Sequence, residues 1–264
     1  MSGDTVPKWS PTLARPARFK PARNGKAGAG EPLVYFPSCA SRTMGPQRGD
    51  AAGEDLPPVA ERLFRKAGYD VRYPARLAQL CCGQPFESKG LADAANAKSA
   101  ELEGALREAS DGGRWPIVFD TSPCAYRMKR MLEGRLVVHD AIEFIHDRVL
   151  DRVSLVRRDE AVAVHPVCSV RKMGLADKLH AVAARCSTLP VAVDAVQCCG
   201  FAGDRGFTHP ELNAHALRQL KASLPPGCAS GISSSRTCEI GLSEFSGVPY
   251  RSFIQLVESC VATP

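Results

Sequence analysis

The sequence has no run of 18 or more apolar residues, so no segment of it reads as a membrane-spanning helix. Its opening stretch, MSGDTVPKWSPTLARPARFK, lacks the apolar core of a secretory signal. A cytoplasmic protein, or one peripheral at the inner face of a membrane, is therefore expected. Disulfides are not expected in that compartment, because the cytosol keeps thiols reduced. The glycine-rich stretch Gly25–Gly30 has no strand before it and is not a phosphate loop. One-sided charge is also scarce. The 34 Lys and Arg against 28 Asp and Glu leave a net charge of +6. Part of that excess lies in residues 1–31, as Lys8, Arg15, Arg18, Lys20, Arg23 and Lys26 against Asp4 and Glu31. With Pro7, Pro11, Pro16 and Pro21 interrupting it, that stretch reads as a disordered, solvated basic linker, and no nucleic-acid partner is expected.

What is present is apolar mass in an alternating order. A chain of 264 residues with 44% hydrophobic residues is long enough for two domains. LVYF (33–36) reads as a buried strand, 54–67 as a helix, DVRYP as a strand, 89–110 as a long helix and PIVFD (116–120) as another strand. Strands alternating with helices imply α/β units around a parallel sheet. The second half then repeats the first. VAVHPVCSVRK (162–172) stands where LVYFPSCASR (33–42) stood, and QCCGFAGDRG (197–206) answers LCCGQPFESKG (80–90). SSRTCEIGLSE (234–244) answers TSPCAYRMKR (121–130), and VPYRSFIQLV (248–257) answers LVVHDAIEFI (136–145). Four blocks in the same order predict two tandem homologous domains, 32–150 and 160–264, each a small parallel sheet with flanking helices, related by pseudo-twofold symmetry.

Eleven cysteines are the anomaly of the composition. Without disulfides, metal ligation or redox chemistry is the leading use for them. Eight follow the repeat. The first half has Cys39, Cys81, Cys82 and Cys124, with 41 residues in each gap. The second has Cys168, Cys198, Cys199 and Cys238, with gaps of 29 and 38. Each falls in a predicted loop after a strand or at a helix start, and in an α/β domain those loops gather at one sheet edge. Each half can thus offer four thiolates to one metal or cluster. Gly83 and Gly200, following the paired cysteines, suit a turn of positive φ or a close backbone approach.

The pattern C…CCG…C, twice over, resembles the CCG cysteine-rich domains of the heterodisulfide reductase B subunit. It is closer to the glycolate oxidase iron–sulfur subunit and to the C-terminal region of FAD-linked D-lactate dehydrogenases. YFPSCASRTMG, CCGQPFESKG, HPVCSVRKMG, CCGFAGDRGF and SRTCEIGLSEFSGVPYRS carry that likeness over about residues 32–260. It implies an iron–sulfur electron-transfer module that passes electrons from flavin towards a quinone or cytochrome. The FAD would sit on a partner flavoprotein domain or subunit, with a ferredoxin-like domain as a further partner. No flavin-binding motif is seen here, so the chain is not expected to oxidise D-lactate alone. The heterodisulfide reductase pattern closes each motif with CxxC, whereas here Thr121 and Ser235 stand at the first of those positions. Four thiolates per site suit a [4Fe–4S] cluster, with Zn²⁺ as the alternative. A thiol–disulfide reductase and a structural zinc subunit are the competing functions.

Around these ligands Arg42, Arg127 and Arg171 each follow a cysteine by three residues, a placement that would tune an anionic cluster. Glu87 and Asp204 share an offset from the CC pairs and read equally well as helix caps. Cys186, Cys228 and Cys260 fall outside the repeat and read as buried or incidental thiols. His165 precedes a ligand cysteine where the first half has Phe36, and reads as a structural histidine rather than a ligand.

Overall fold

The computed structural model describes residues 13–21, 29–48, 50 and 53–262. The first half builds β1 (Ala14–Pro16), β2 (Glu31–Phe36), α1 (Cys39–Thr43), β3 (Met44–Gln47), α2 (Leu56–Lys66) and β4 (Tyr69–Arg72). It continues with α3 (Gln84–Glu87), α4 (Ala92–Ala109), β5 (Ile117–Phe119), α5 (Ser122–Met131), β6 (His139–Asp140) and α6 (Ala141–Phe144). The second half builds β7 (Arg158–Val164), α7 (Cys168–Lys172), α8 (Ala176–Cys186), β8 (Ser187–Ala192), α9 (Pro210–Ala216) and α10 (Leu220–Ser223). It ends with β9 (Ser230–Ser233), α11 (Arg236–Ser246), β10 (Tyr250–Ser252) and α12 (Phe253–Cys260).

Local chemistry accounts for these elements. Leu33, Val34, Tyr35 and Phe36 are all fully buried, as a strand covered on both faces requires. In α2 the prolines Pro57 and Pro58 fall in the first turn, where no backbone donor is lost. Leu56, Val59, Ala60, Leu63 and Phe64 then form one buried stripe, and Gly68 at φ 86° follows the helix end. Both α6 and α12 open on a capping box, Asp140 with Glu143 and Ser252 with Gln255.

Two four-stranded sheets result, and every pairing within them is parallel. One has the order β4-β2-β5-β6 and the other β8-β7-β9-β10. No strand is shared. The halves nevertheless share one continuous hydrophobic core. Helix α12 of the second half packs on α2 of the first, and α6 of the first packs on α8 of the second. In the same way α5 meets α7, and α1 meets α11. Arg62 and Lys66 of α2 both reach Glu258 of α12, at 3.2 and 2.9 Å. The segment between the sheets is pinned to the chain's far end. Leu155 bridges Val261, and the Val156 N–H donates to the Cys260 carbonyl at 2.7 Å.

The expectation of a disordered linker over 1–31 is corrected where that region is described. Ala14–Pro16 pairs antiparallel with β3, the Arg18 N–H donates to the Asp55 carboxylate at 2.6 Å, and the Phe19 ring packs against Tyr73. One aromatic anchor and a handful of backbone hydrogen bonds hold a segment whose composition reads as solvated. Residues 1–12 and 22–28, covered by the same expectation, lie outside the described residues.

Phe144, at the end of α6, packs against Phe64 of α2 and Tyr69 of β4, with ring centroids 5.9 and 5.3 Å away. Its side chain is fully buried. Phe144→Ala should therefore lower the stability of the chain by about 3–5 kcal/mol, the usual range for a buried Phe→Ala change. Denaturant unfolding of the two proteins checks this, and a loss under about 1 kcal/mol would show that the cluster is dispensable.

Candidate metal centres

In each sheet the chain reverses its direction of travel after the second strand. From β2 it runs out to β4 and then crosses to β5 on the other side, and from β7 it runs to β8 and then crosses to β9. The crevice of an open α/β sheet lies at that reversal, outside the carboxyl ends of the strands. All eight repeated cysteines sit at such ends. Cys39 and Cys168 open α1 and α7 directly after β2 and β7. Cys124 and Cys238 lie in the first turns of α5 and α11. The CC pairs occupy the loops after β4 and β8.

Within each half the four sulfurs are neighbours in series. In the first, Cys39 hydrogen-bonds Cys81, Cys81 hydrogen-bonds Cys82, and the Cys82 and Cys124 sulfurs stand 3.0 Å apart. In the second, Cys168 meets Cys198, Cys198 meets Cys199, and Cys199 and Cys238 stand 2.8 Å apart. All eight are free thiols. The inner members, Cys82, Cys124, Cys199 and Cys238, are buried, while Cys168 and Cys198 are exposed and Cys39 and Cys81 half-buried.

Charge is shared unequally along each series. Hydrogen bonds from the thiols of Cys39 and Cys82, then from the Gly83 N–H, pull the Cys81 thiol far below its ordinary range, and the charge of Arg42 helps. Cys198 is lowered in the same way by Cys168, Cys199 and the Gly200 N–H. Their neighbours Cys39, Cys82, Cys168 and Cys199 are pushed up, with burial adding to the loss of the shared proton. In each half the hydrogen bonds thus favour the charged form of the first cysteine of the pair, the form that ligates metal.

The donor set can be tested against what would bind it. Among the described residues no three Cys, His, Asp or Glu donors converge as a single bound ion requires. A multi-iron cluster makes a different demand, because each thiolate takes a separate iron and the sulfurs need not share one centre. Four thiols in series at each crevice mouth supply the soft sulfur donors that an iron–sulfur cluster takes.

The glycine after each pair is required twice over. Gly83 has φ 87° and Gly200 has φ 70°, values that an L side chain rarely adopts. A Cβ on Gly83 would lie 2.3 Å from the Ala95 carbonyl oxygen of α4, and one on Gly200 would lie 2.5 Å from the Leu212 carbonyl oxygen of α9. The close approach is thus to a helix backbone. The Cys82 carbonyl is held from that side by Ser99 Oγ at 2.8 Å and Arg127 Nε at 2.9 Å. In the second half Asn213 Nδ2 takes the same role on the Cys199 carbonyl at 2.8 Å.

The three arginines singled out from the sequence occupy different settings. Arg127 is almost wholly buried and is spent on protein partners, with Asn96 at 3.1 Å and Glu87 at 2.5 Å besides the Cys82 carbonyl. Arg42 donates to the Leu77 carbonyl, to the Leu80 carbonyl at 2.6 Å and to the Ser38 carbonyl at 3.3 Å, so it straps the Cys39 and Cys81 loops together. Arg171 leaves its buried Nε without a partner. Asp204 pairs with Lys89 at 2.7 Å, joining the two CCG loops.

Asp120 was not visible as a site residue in the sequence. It is buried and accepts hydrogen bonds from Tyr35 Oη, the Ser38 N–H and Thr121 Oγ1, each at 2.9 Å. Burial raises its pKa, opposed by these bonds. The carboxylate thereby ties the Cys39 loop to the Cys124 loop. The one available signal was a carboxylate directly after a buried strand and four residues before a ligand cysteine. Cys186 and Cys260 are buried, as expected, and they also hydrogen-bond each other, a pairing across α8 and α12 that the sequence did not reveal.

Residues 33–129 match the cysteine-rich CCG domain family. That match lies within the first half of the chain and includes Cys39, Cys81, Cys82 and Cys124. Over 95% of its length the chain is 27% identical to the glycolate oxidase iron–sulfur subunit of Escherichia coli (strain K12), covering 65% of that protein. Over 89% it is 24% identical to one of the subunits of the anaerobic glycerol-3-phosphate dehydrogenase from the same strain, covering 60% of it. The chain thus spans somewhat under two thirds of these curated relatives. Glutamate racemase from Aquifex pyrophilus aligns over 86% of the chain at 14% identity and a TM-score of 0.38, too slight to define a shared fold. No described helix is long and apolar enough to cross a membrane.

Because the CCG turn combines a positive φ with a backbone clash, Gly83→Ala or Gly200→Ala should destabilise its own half by about 2–4 kcal/mol. Thermal unfolding of each variant tests this. A change within about 0.5 kcal/mol would mean that the helix is free to retreat from the turn.

Proposed function

We propose that the chain is the iron–sulfur electron-transfer module of a flavin-linked D-2-hydroxyacid dehydrogenase of the D-lactate type. The observation that carries this reading is the series of four thiols at the strand ends, formed once in each half from matching positions. Cys39, Cys81, Cys82 and Cys124 would hold one iron–sulfur cluster, of the [4Fe–4S] kind, and Cys168, Cys198, Cys199 and Cys238 a second. Such clusters supply one-electron uptake and release. Electrons would come from a flavin on a partner flavoprotein domain or subunit, by way of a ferredoxin-like domain, and leave to a quinone or cytochrome. The likeness to an iron–sulfur subunit of glycolate oxidase supports this, since glycolate is itself a 2-hydroxyacid.

In this reading the halves are two copies of one CCG unit, 32–150 and 160–264, related by pseudo-twofold symmetry. The identical strand order, the reciprocal packing of α12 on α2 and α6 on α8, and the matched capping boxes support the duplication. The chain's own part is to bind and orient the clusters. Arg42 and Asp120 fix the loops of the first site, and the helix backbones behind Gly83 and Gly200 hold each CC pair at its crevice. A thiol–disulfide reductase of the heterodisulfide type fits less well, because Thr121, in place of the further cysteine, is held by Ser38 and Asp120 at 2.9 Å each.

The test is metal content after anaerobic reconstitution of the full chain. Cys82→Ser and Cys199→Ser should each lose the iron and sulfide of one half and keep the other. Serine at Cys186, Cys228 or Cys260 should change neither. The pure chain should show no dye-linked D-lactate oxidation until a flavoprotein partner is added. If Cys82→Ser empties both halves, the sites are shared across the interface and two separate four-cysteine centres do not exist.

A further inference from the structure

The two candidate centres are built on one pattern but are lined differently. In the first half the strand ends beside Cys39 and Cys124 carry Phe36 and Phe119, whose rings pack with centroids 4.9 Å apart. Three residues before Cys168, where Phe36 precedes Cys39, stands His165. Five residues before Cys238, where Phe119 precedes Cys124, stands Ser233. Both are completely buried. A ring-on-ring apolar contact has thus become two polar side chains.

Neither finds a partner. Both ring nitrogens of His165 and the hydroxyl of Ser233 are buried without a hydrogen bond, and so are Ser169 Oγ and Arg171 Nε of α7. Such groups are rare in folded proteins, because burial strips them of water and returns nothing. At the same offset in the first half, Arg42 has its Nε and both Nη atoms engaged by backbone carbonyls. His165 stands within electrostatic reach of Cys198 and Arg171. The unused polarity is therefore gathered beside the second cysteine set, and an acceptor placed among those sulfurs would satisfy it.

We propose that His165 donates a ring N–H hydrogen bond to a sulfur of the group held by Cys168, Cys198, Cys199 and Cys238. The second centre would then accept an electron at a higher potential than the first. This rests on the reading that both sets hold clusters. A donor aimed at cluster sulfur favours the reduced, more negative state and so raises the potential, whereas Phe36 offers nothing to the first centre. Solvent acts in the same direction, since Cys168 and Cys198 are exposed where Cys39 and Cys81 are half-buried. His165 is thus a positioning and tuning residue, and electrons entering at the first half would run downhill to the second.

The experiment is an EPR-monitored dithionite titration of the full chain, reconstituted anaerobically with iron and sulfide, with iron counted per chain. Wild type should show two midpoint potentials. Cys199→Ser should remove the higher one, assigning it to the second half. His165→Phe, which installs the first-half residue, should lower that potential alone and leave iron content unchanged. His165→Gln, which keeps an N–H donor, should restore most of the difference, and His165→Leu should not. Equal shifts in Gln and Leu variants, no shift in either, or a shift in the other signal would overturn the assignment. A wild-type chain that takes up no iron and sulfide would overturn the cluster reading itself, and this inference with it.

Discussion

Two adjacent cysteines point their side chains in different directions along an extended chain, so presenting both sulfurs to one crevice takes a sharp turn behind them. Here the turn is a glycine at positive φ, and its bare Cα is pressed against a helix carbonyl that leaves no room for a Cβ. The rest of each site hangs on that approach. It sets the position of α4 and α9, from which Ser99 and Asn213 reach the cysteine carbonyls. It also aims the Gly83 and Gly200 N–H groups at Cys81 and Cys198, 3.4 Å away. The thiolate character of those two cysteines follows in part from that aim. A local backbone requirement is in this way converted into ligand chemistry.

The halves then diverge in how the remaining loops are fixed. The first uses a buried carboxylate, Asp120, as a hub for Tyr35, Ser38 and Thr121. The corresponding positions in the second half are Ser234 for Asp120 and Val164, Val167 and Ser235 for its partners. A carboxylate hub of that kind cannot form there, because a serine stands in place of Asp120 and a valine in place of the Tyr35 hydroxyl. Ser234 instead turns across the interface. Its hydroxyl meets Ser122 Oγ at 2.8 Å, and its carbonyl accepts from the Ser122 N–H at 3.1 Å. The first loop is thus braced by its own carboxylate as well as by this contact, and the second by the contact between halves.

Much of this was legible in the sequence, for physical reasons that differ by element. The strands at Leu33–Phe36 and Ile117–Phe119 were visible because burial on both faces demands continuous apolar runs. The cysteines were visible because eight of them keep matching order in two blocks, a regularity that packing alone does not impose. The glycines were visible as turn formers, although the close approach is to α4 and α9 and not to a ligand. Strand β1 was hidden because its stability comes from a distant partner, Met44–Gln47, and not from its own pattern. Asp120 was hidden because its role depends on two hydroxyls and a backbone N–H, two of the three brought to it only by the fold. The Cys186–Cys260 pairing was hidden for the same reason, being a contact between two helices far apart in sequence.

The interface between halves also decides how the two sites can communicate. Ser122 lies two residues before Cys124, and Ser234 lies four residues before Cys238. Their backbone hydrogen bond therefore joins the two ligand loops through a short covalent path and one bridging contact. On the CCG side the Lys89–Asp204 ion pair at 2.7 Å joins the other two ligand loops. That pair is more than half exposed on both sides, so it is screened and adds little stability. The serine contact is buried, and burial keeps a hydrogen bond from exchanging with water. The buried Ser122–Ser234 contact is therefore the firmer of the two links between the loops of the first half and those of the second.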